Sequence, residues 1–250
     1  MTTAELQAFF RERSDEVYLY LHFLQDIEAA SQSGPPRLVG AKAPIAVGQQ
    51  RILYSSLYLQ LYNLVEATVA KCIEAVVEAA ASHGAKPSDL NEAMRSEWVR
   101  SFARTHVDLK AENRLRFAVA MCDHVLEQLP IEVFDLDSGG GGNWDDSEIE
   151  KISKRVGIKL QISRAARAAV HAAHRDNMGA LKLVKNRRNR LAHGSLSFVD
   201  CSDGVTVAEL WVVTDAIVSY LHDAIKCFGN YIDMYGFLDP TRQQKAVVNP

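Results

Sequence analysis

Leu61-Tyr62-Asn63-Leu64-Val65-Glu66-Ala67-Thr68-Val69-Ala70-Lys71-Cys72-Ile73-Glu74-Ala75-Val76-Val77-Glu78-Ala79 is the stretch from which the fold can be read. It holds no glycine and no proline, and its apolar residues cover nearly the whole helical circumference. Extended both ways, the pattern predicts one helix from about Gln49 to Ser82, closed by His83-Gly84. A stripe with steps of four and three runs through Ile52, Ser56, Leu59, Asn63, Glu66, Ala70, Ile73, Val77 and Ala80. A helix apolar on almost every side belongs at the centre of a bundle. Asn63 and Glu66 interrupt the seam one turn apart. They fit either a buried polar pair that fixes helix register or, for Glu66, a carboxylate that holds a functional side chain.

Outward from this helix the periodicity stays helical. Thr2 and Glu5 form a capping box ahead of Leu6, Phe9, Phe10, Val17, Tyr20, Leu21, Leu24 and Ile27, and Ser33-Gly34-Pro35-Pro36 stops that helix. On the other side, Ser88 or Asp89 can cap a helix with Leu90, Met94, Trp98 and Phe102. Asp108 can cap the next, with Leu115, Val119, Cys122, Leu126 and Leu129, ended by Pro130. An irregular glycine-rich loop is expected near 131–147, around Gly139–Gly142. Beyond it, Ile149, Ile152 and Val156 mark a short helix ending at Gly157. Ser163 to His174 reads as another, and Asp176 can cap a third that ends at Gly194. A turn-rich connection leads to a second capping box, Thr206 and Glu209. The last helix carries Leu210, Val213, Ile217, Leu221, Ala224, Phe228 and Ile232. The expected class is therefore all-α, with one helical domain over 1–238 and a polar tail over 239–250.

Composition narrows the functional classes. The chain has 250 residues, 48% hydrophobic and 24% charged, as in globular domains. With 28 basic and 31 acidic residues and a net charge of −3, it is no general nucleic-acid coat, so an RNA site has to be a local patch. No apolar run approaches the ~20 residues that span a bilayer, and charges interrupt any signal-peptide core in the N-terminal MTTAELQAFFRERSDE. The four cysteines lie far apart and form no CxxC, which argues against a disulfide framework or a cysteine zinc site. A soluble cytoplasmic protein without membrane partner, cofactor or metal is expected. His171 and His174 form an HxxH without a third ligand and read as helix surface. The stretch from Asp135 to Asp146 matches a calcium loop poorly, and no phosphate-binding glycine motif occurs.

The local patch is Lys182-Leu-Val-Lys185-Asn186-Arg187-Arg188-Asn189-Arg190-Leu191-Ala192-His193-Gly194, with five cations and no acid. A basic run on a helix is ordinarily a solvated face. At about 100° per residue, however, Leu181, Val184, Leu191 and Ala192 share one arc, and Arg188 falls near its middle. An arginine there is costly unless paired or in contact with a phosphate. Lys182, Asn186, Asn189 and His193 make a separate polar stripe, on which Asn189 can fix the His193 imidazole. Arg188 and His193 point about 140° apart on a straight helix. A site that uses both needs either a distorted helix end at Gly194 or a second copy across a two-fold axis.

Arginine plus histidine suits RNA cleavage. RNA carries its own nucleophile, the 2′-hydroxyl. The protein has only to move protons and stabilise charge at phosphorus, work suited to an imidazole and a guanidinium. Arg188-Asn189-Arg190-Leu191-Ala192-His193 resembles the R-x4-6-H signature of the HEPN superfamily. Leu61–Ala79, the segment GNWDDSEIEKISKRVGI (Gly142–Ile158) and the AHGSLSF turn resemble its MAE-type nuclease branch. The resemblance implies an antiparallel all-α HEPN bundle that dimerises with the two motif helices facing each other. It implies metal-independent endoribonuclease activity, in toxin–antitoxin or anti-phage settings, with a cognate antitoxin or neighbouring defence protein as possible partner. Arg188 and His193 would be catalytic with Asn189 in support. Lys182, Lys185, Arg187 and Arg190 would hold the RNA backbone, and Glu66 and Asn63 would support the site. The alternative is an inactive HEPN module that binds RNA, a nucleotide or a protein. Some HEPN toxins have a tyrosine soon after the histidine. Here Gly194-Ser195-Leu196-Ser197-Phe198 follows, so control through that tyrosine is not expected.

Overall fold

The computed structural model describes residues 1–104, 108–136 and 143–243. The glycine run Gly139–Gly142, His106 and the tail from 244 onward lie outside the described residues. Among those described there are nine α-helices, one 3-10 turn and no strand. The predicted all-α class holds.

Three long helices form the centre. α1 (Thr3–Ser31) starts at the expected Thr2–Glu5 capping box. α2 spans Val47–Ser82, and α9 (Val207–Asp233) starts at the expected Thr206–Glu209 box. Their contacts fix direction. The Met1 ammonium meets Glu78 at 3.2 Å, and the Tyr20 hydroxyl donates to the Leu53 carbonyl at 2.9 Å, so α1 runs antiparallel to α2. Thr3 donates to Asp233 at 2.8 Å and Tyr18 to Asp215 at 2.9 Å, so α1 is antiparallel to α9 as well. Leu57, Leu61, Ala75, Val76, Ile217 and Leu221 are buried where the three meet. Burial of that many apolar side chains, each contributing about 1.5–3 kcal/mol, is what holds the bundle.

The buried side of α2 follows the expected stripe only at its C-terminal end, where Ile73, Val77 and Ala80 are buried. Tyr54, Leu57, Tyr58, Leu61, Tyr62, Leu64, Val65, Val69 and Cys72 are buried, whereas Ile52 is 44% exposed and Asn63 is exposed. An all-round apolar helix offers several stripes of equal quality, and periodicity alone cannot choose among them.

The smaller helices pack around this centre. α3 (Glu92–Phe102) is capped by Asn91 rather than Ser88 or Asp89, because Leu90 is held in an isolated bridge to Leu238 and Asp89 caps the preceding turn. α4 (Ala111–Leu126) follows Lys110, and Asp108 pairs with Arg114 at 2.8 Å instead of capping. α5 (Asp146–Arg155) is tied to α3 by a two-point Arg155–Glu97 contact at 3.0 and 2.7 Å. α6 (Arg164–His171) ends one turn short of His174. α7 (Ala180–Ala192) packs on α2 and α9, and the short α8 (Phe198–Cys201) seats Phe198 on α2 through the Ser55 hydroxyl at 2.5 Å. Residues 239–243 are tied back to the fold. Asp239 donates its N–H to Asp89 at 2.7 Å, and the Gln243 amide reaches the Met234 carbonyl at 2.7 Å.

Candidate functional site

The site grows from α7. Its buried residues are Ala180, Leu181, Leu183, Val184, Arg187 and Leu191. Their arc centres on Arg187, not Arg188, since Ala180 and Leu183 shift it and Ala192 is exposed. The buried arginine expected at 188 is therefore Arg187, 7% exposed, which donates to the Asp176 carboxylate at 2.7 Å. Asp176 does not cap α7. It lies at φ 55° in the 3-10 turn Arg175–Asn177, a conformation that Asp and Asn tolerate, and serves as the counter-ion. The helix starts at Gly179, where a Cβ would lie 2.5 Å from the Val170 carbonyl oxygen.

Arg188, one position round, is half-buried at the edge of this face. Its guanidinium carbon lies 4.6 Å from the centroid of the Tyr62 ring, a cation–π arrangement. Its Nη1 donates to Asn189 Oδ1 at 2.9 Å, and Asn189 Nδ2 donates to Asn143 Oδ1 at 2.9 Å. The next residue, Trp144, donates its N–H to the Tyr62 hydroxyl at 3.2 Å. The next, Asp145, takes an ion pair from Lys185 and also accepts from Ser147 at 2.6 Å and the Glu148 N–H at 3.1 Å. Three consecutive residues thus fix three pieces of the site. Burial pushes the Asp145 carboxyl up, but the bonds from Lys185, Ser147 and Glu148 outweigh it and hold the acid below its usual range. Burial raises the Tyr62 hydroxyl and Glu66 adds to this. The Trp144 N–H, Arg188 and Lys185 only partly offset the rise, so the phenol stays protonated at neutral pH.

His193 is the C-cap of α7 and is exposed. Gly194 follows at φ 68°. Its N–H bonds the Leu191 carbonyl at 3.2 Å, and the Ser195 N–H bonds the Arg190 carbonyl at 3.0 Å. That is a Schellman closure, and it fixes the His193 backbone while leaving the imidazole in the open. The expected Asn189–His193 side-chain bond is not formed, because the amide is spent on Arg188 and Asn143. The helix end is regular, so it does not bring His193 round to Arg188.

A family model for MAE-like HEPN domains matches residues 2–237. The chain belongs to the MAE-like HEPN family. No curated protein and no solved structure shows significant similarity to it. In this HEPN chain the R-x4-H signature, Arg188 to His193, spans the last turn of α7 and its cap.

The other residues expected in the HEPN site separate into two groups. Lys182 is exposed and Arg190 half-buried, and neither has a carboxylate partner among the described residues. Lys185 and Arg187 have partners inside the fold, Asp145 and Asp176. Glu66 is half-buried and acts on the Tyr62 hydroxyl, without an ion pair to Arg188. Asn63 faces away, in a cleft lined by Arg13, Glu16 and Gln60. Of the two readings of Asn63 and Glu66, the buried polar pair does not fit, since Asn63 is exposed. His171 bonds Asp146 at 2.8 Å. Among the described residues no cluster of His, Cys, Asp or Glu could hold a metal, and no helix is long and apolar enough to cross a membrane.

Sequence reading missed Tyr62, Asn143 and Asp145. Tyr62 hides in an apolar helix, where an aromatic reads as core. Asp145 left a signal, a capping residue three before Glu148, but nothing in the sequence pairs it with Lys185.

Proposed function

We propose that this HEPN protein is an endoribonuclease whose reaction uses Arg188 and His193. The observation that carries the reading is the Arg188 guanidinium held over Tyr62 and tied through Asn189 to Asn143, one turn from an exposed imidazole. A preset guanidinium costs little ordering entropy when it meets a phosphate. Membership of a family whose domains are commonly ribonucleases supports the same reading.

In the proposed reaction, Arg188 binds the non-bridging oxygens of the scissile phosphate and stabilises the charge that builds there. A neutral His193 imidazole takes the proton of the 2′-hydroxyl as that oxygen bonds to phosphorus. A protonated imidazole gives a proton to the departing 5′-oxygen as the P–O5′ bond breaks. The products are a 2′,3′-cyclic phosphate and a 5′-hydroxyl. Asn189 is a positioning residue for Arg188. Lys182 and Arg190 steer the RNA backbone, whereas Lys185 and Arg187 hold the site together. The diverging directions of Arg188 and His193, with the regular end of α7, favour a site completed by the α7 of a second copy. A toxin or defence role fits such an activity, with RNA as substrate.

The same divergence favours the second reading, an RNA-binding HEPN module without catalysis, if the chain acts alone. Labelled RNA incubated with the chain in EDTA separates the two. Fragments ending in 2′,3′-cyclic phosphate, absent with His193→Ala, support cleavage. Retention without fragments supports the binder.

A further inference from the structure

α4 is built unlike the rest of the bundle. None of its residues is buried, and it meets the bundle at α3, with Met121 packed on the core and the His124 ring tilted 5.3 Å from that of Trp98. Away from these contacts Leu115 is 66%, Val119 51% and Leu126 79% exposed, and Cys122 is exposed too, the last two also bordering an apolar cleft with Pro87, Trp98 and Val99. These four residues follow one another at steps of four, three and four. That is the seam spacing of a coiled coil, turned outward.

The charges along α4 identify what would cover the seam. The N-terminal half carries Lys110, Arg114 and Arg116 against one carboxylate, Glu112. The C-terminal half and its cap carry Asp123 and Glu127. Only the capping positions, Lys110 and Glu127, oppose the helix macrodipole, since the first turn holds Glu112 and the last holds His124. A second α4 laid antiparallel would bring acid to the basic half and base to the acidic half. On that seam Arg116 and Asp123 occupy equivalent flanking positions, and neither has an ion-pair partner among the described residues.

We infer that α4 is a self-association surface, on which the Leu115–Val119–Cys122–Leu126 seam of one chain packs antiparallel on that of a second copy, with Arg116 of each facing Asp123 of the other. The contact is isologous. It is independent of the ribonuclease reading and lies outside the α2–α7 site.

Charge reversal tests it in the full-length chain by sedimentation equilibrium. Arg116→Glu and Asp123→Arg, each alone, should weaken one association step by about tenfold or more. An equimolar mixture of the two, or the double variant, should restore it, since every facing pair is again of opposite sign. Leu126→Glu should abolish that step without loss of helicity by circular dichroism, because Leu126 is 79% exposed. A short bismaleimide should join two chains through Cys122, and Cys122→Ser should prevent this. The inference is overturned if the chain stays monomeric at about 100 µM, where a contact of this kind registers. Self-association equally strong in Leu126→Glu overturns it too, as does failure of the mixed variants to recover. RNA cleavage measured on the same variants reports on His193 separately, so the two ideas can fail independently.

Discussion

α7 and α4 are both short helices rich in arginine and aliphatic residues, yet the fold uses them in opposite ways. α7 buries Leu181, Leu183, Val184 and Leu191, and gives Lys185 and Arg187 acidic partners within the chain. α4 has no fully buried residue and leaves its seam in the open. The difference teaches that cations in one sequence run need not share one job. On α7 the inner cations anchor the helix, and only those at its edge and end remain for chemistry. Rigid support is what a site needs, because a guanidinium displaced by 1 Å forfeits much of its advantage. A docking surface needs the reverse, apolar side chains left without intramolecular partners.

The sharpest way to break the comparison is at the open end of α7. His193→Ala should lower the rate of RNA cleavage by roughly 10²–10⁴-fold, as expected for loss of a general acid/base. Its melting temperature should stay within a degree or two of the parent, since the imidazole is exposed. Unchanged cleavage would remove His193 from the reaction. Next in size, one kind of substitution should give different results on the two helices. Leu183→Ala, deep under α7, should cost about 2–5 kcal/mol in urea denaturation. Leu126→Ala should cost less than about 0.5 kcal/mol when measured at low protein concentration. Equal costs would mean that α4 is covered in solution by part of its own chain.

How much of this was legible beforehand follows from what each feature depends on. Both capping boxes and the ends of most helices are local chemistry, and the sequence shows them directly. The Arg188–His193 motif is likewise local. The buried face of α2 was legible at its C-terminal end, at Ile73, Val77 and Ala80, and not in its first half, where Asn63 and Ile52 sit on a stripe no worse than the true one. The identity of the buried arginine turned on three residues: leaving Ala180 and Leu183 out of the arc and counting Ala192 in it drew the centre from Arg187 toward Arg188. Asp176 looked like a cap because Asp commonly is one. Its left-handed backbone and its bond to Arg187 depend on how α6 and α7 meet at Gly179, which is tertiary information. The Asn143–Asp145 strap was invisible for the same reason, since its three partners lie on α2 and α7.

Smaller effects sharpen the contrast further. Gly194→Ala meets no steric neighbour but must adopt φ 68°, so it should destabilise by about 1 kcal/mol through backbone strain alone. Because it loosens the His193 backbone, cleavage should fall by more than the stability change explains, measured as kcat at saturating RNA. The smallest expected effect is one of acid. Asp145 has a depressed folded pKa, so its contribution to stability is complete above the unfolded value of about 3.9. That contribution is lost as pH falls through the folded value. Asp145→Asn should therefore flatten the acid limb of the stability profile below about pH 4, with little change on its slope near neutrality. A profile identical to the parent would show that the Lys185–Asp145 pair does not secure the site.

The most direct test mixes two chains that are each inactive. If the site joins Arg188 of one copy to His193 of another, Arg188→Ala and His193→Ala proteins combined in equal amounts form hybrid dimers with one intact site. Random pairing should then recover about a quarter of the parental cleavage rate. A mixture as inactive as its components would contradict a shared site and leave Arg188 and His193 without a common phosphate.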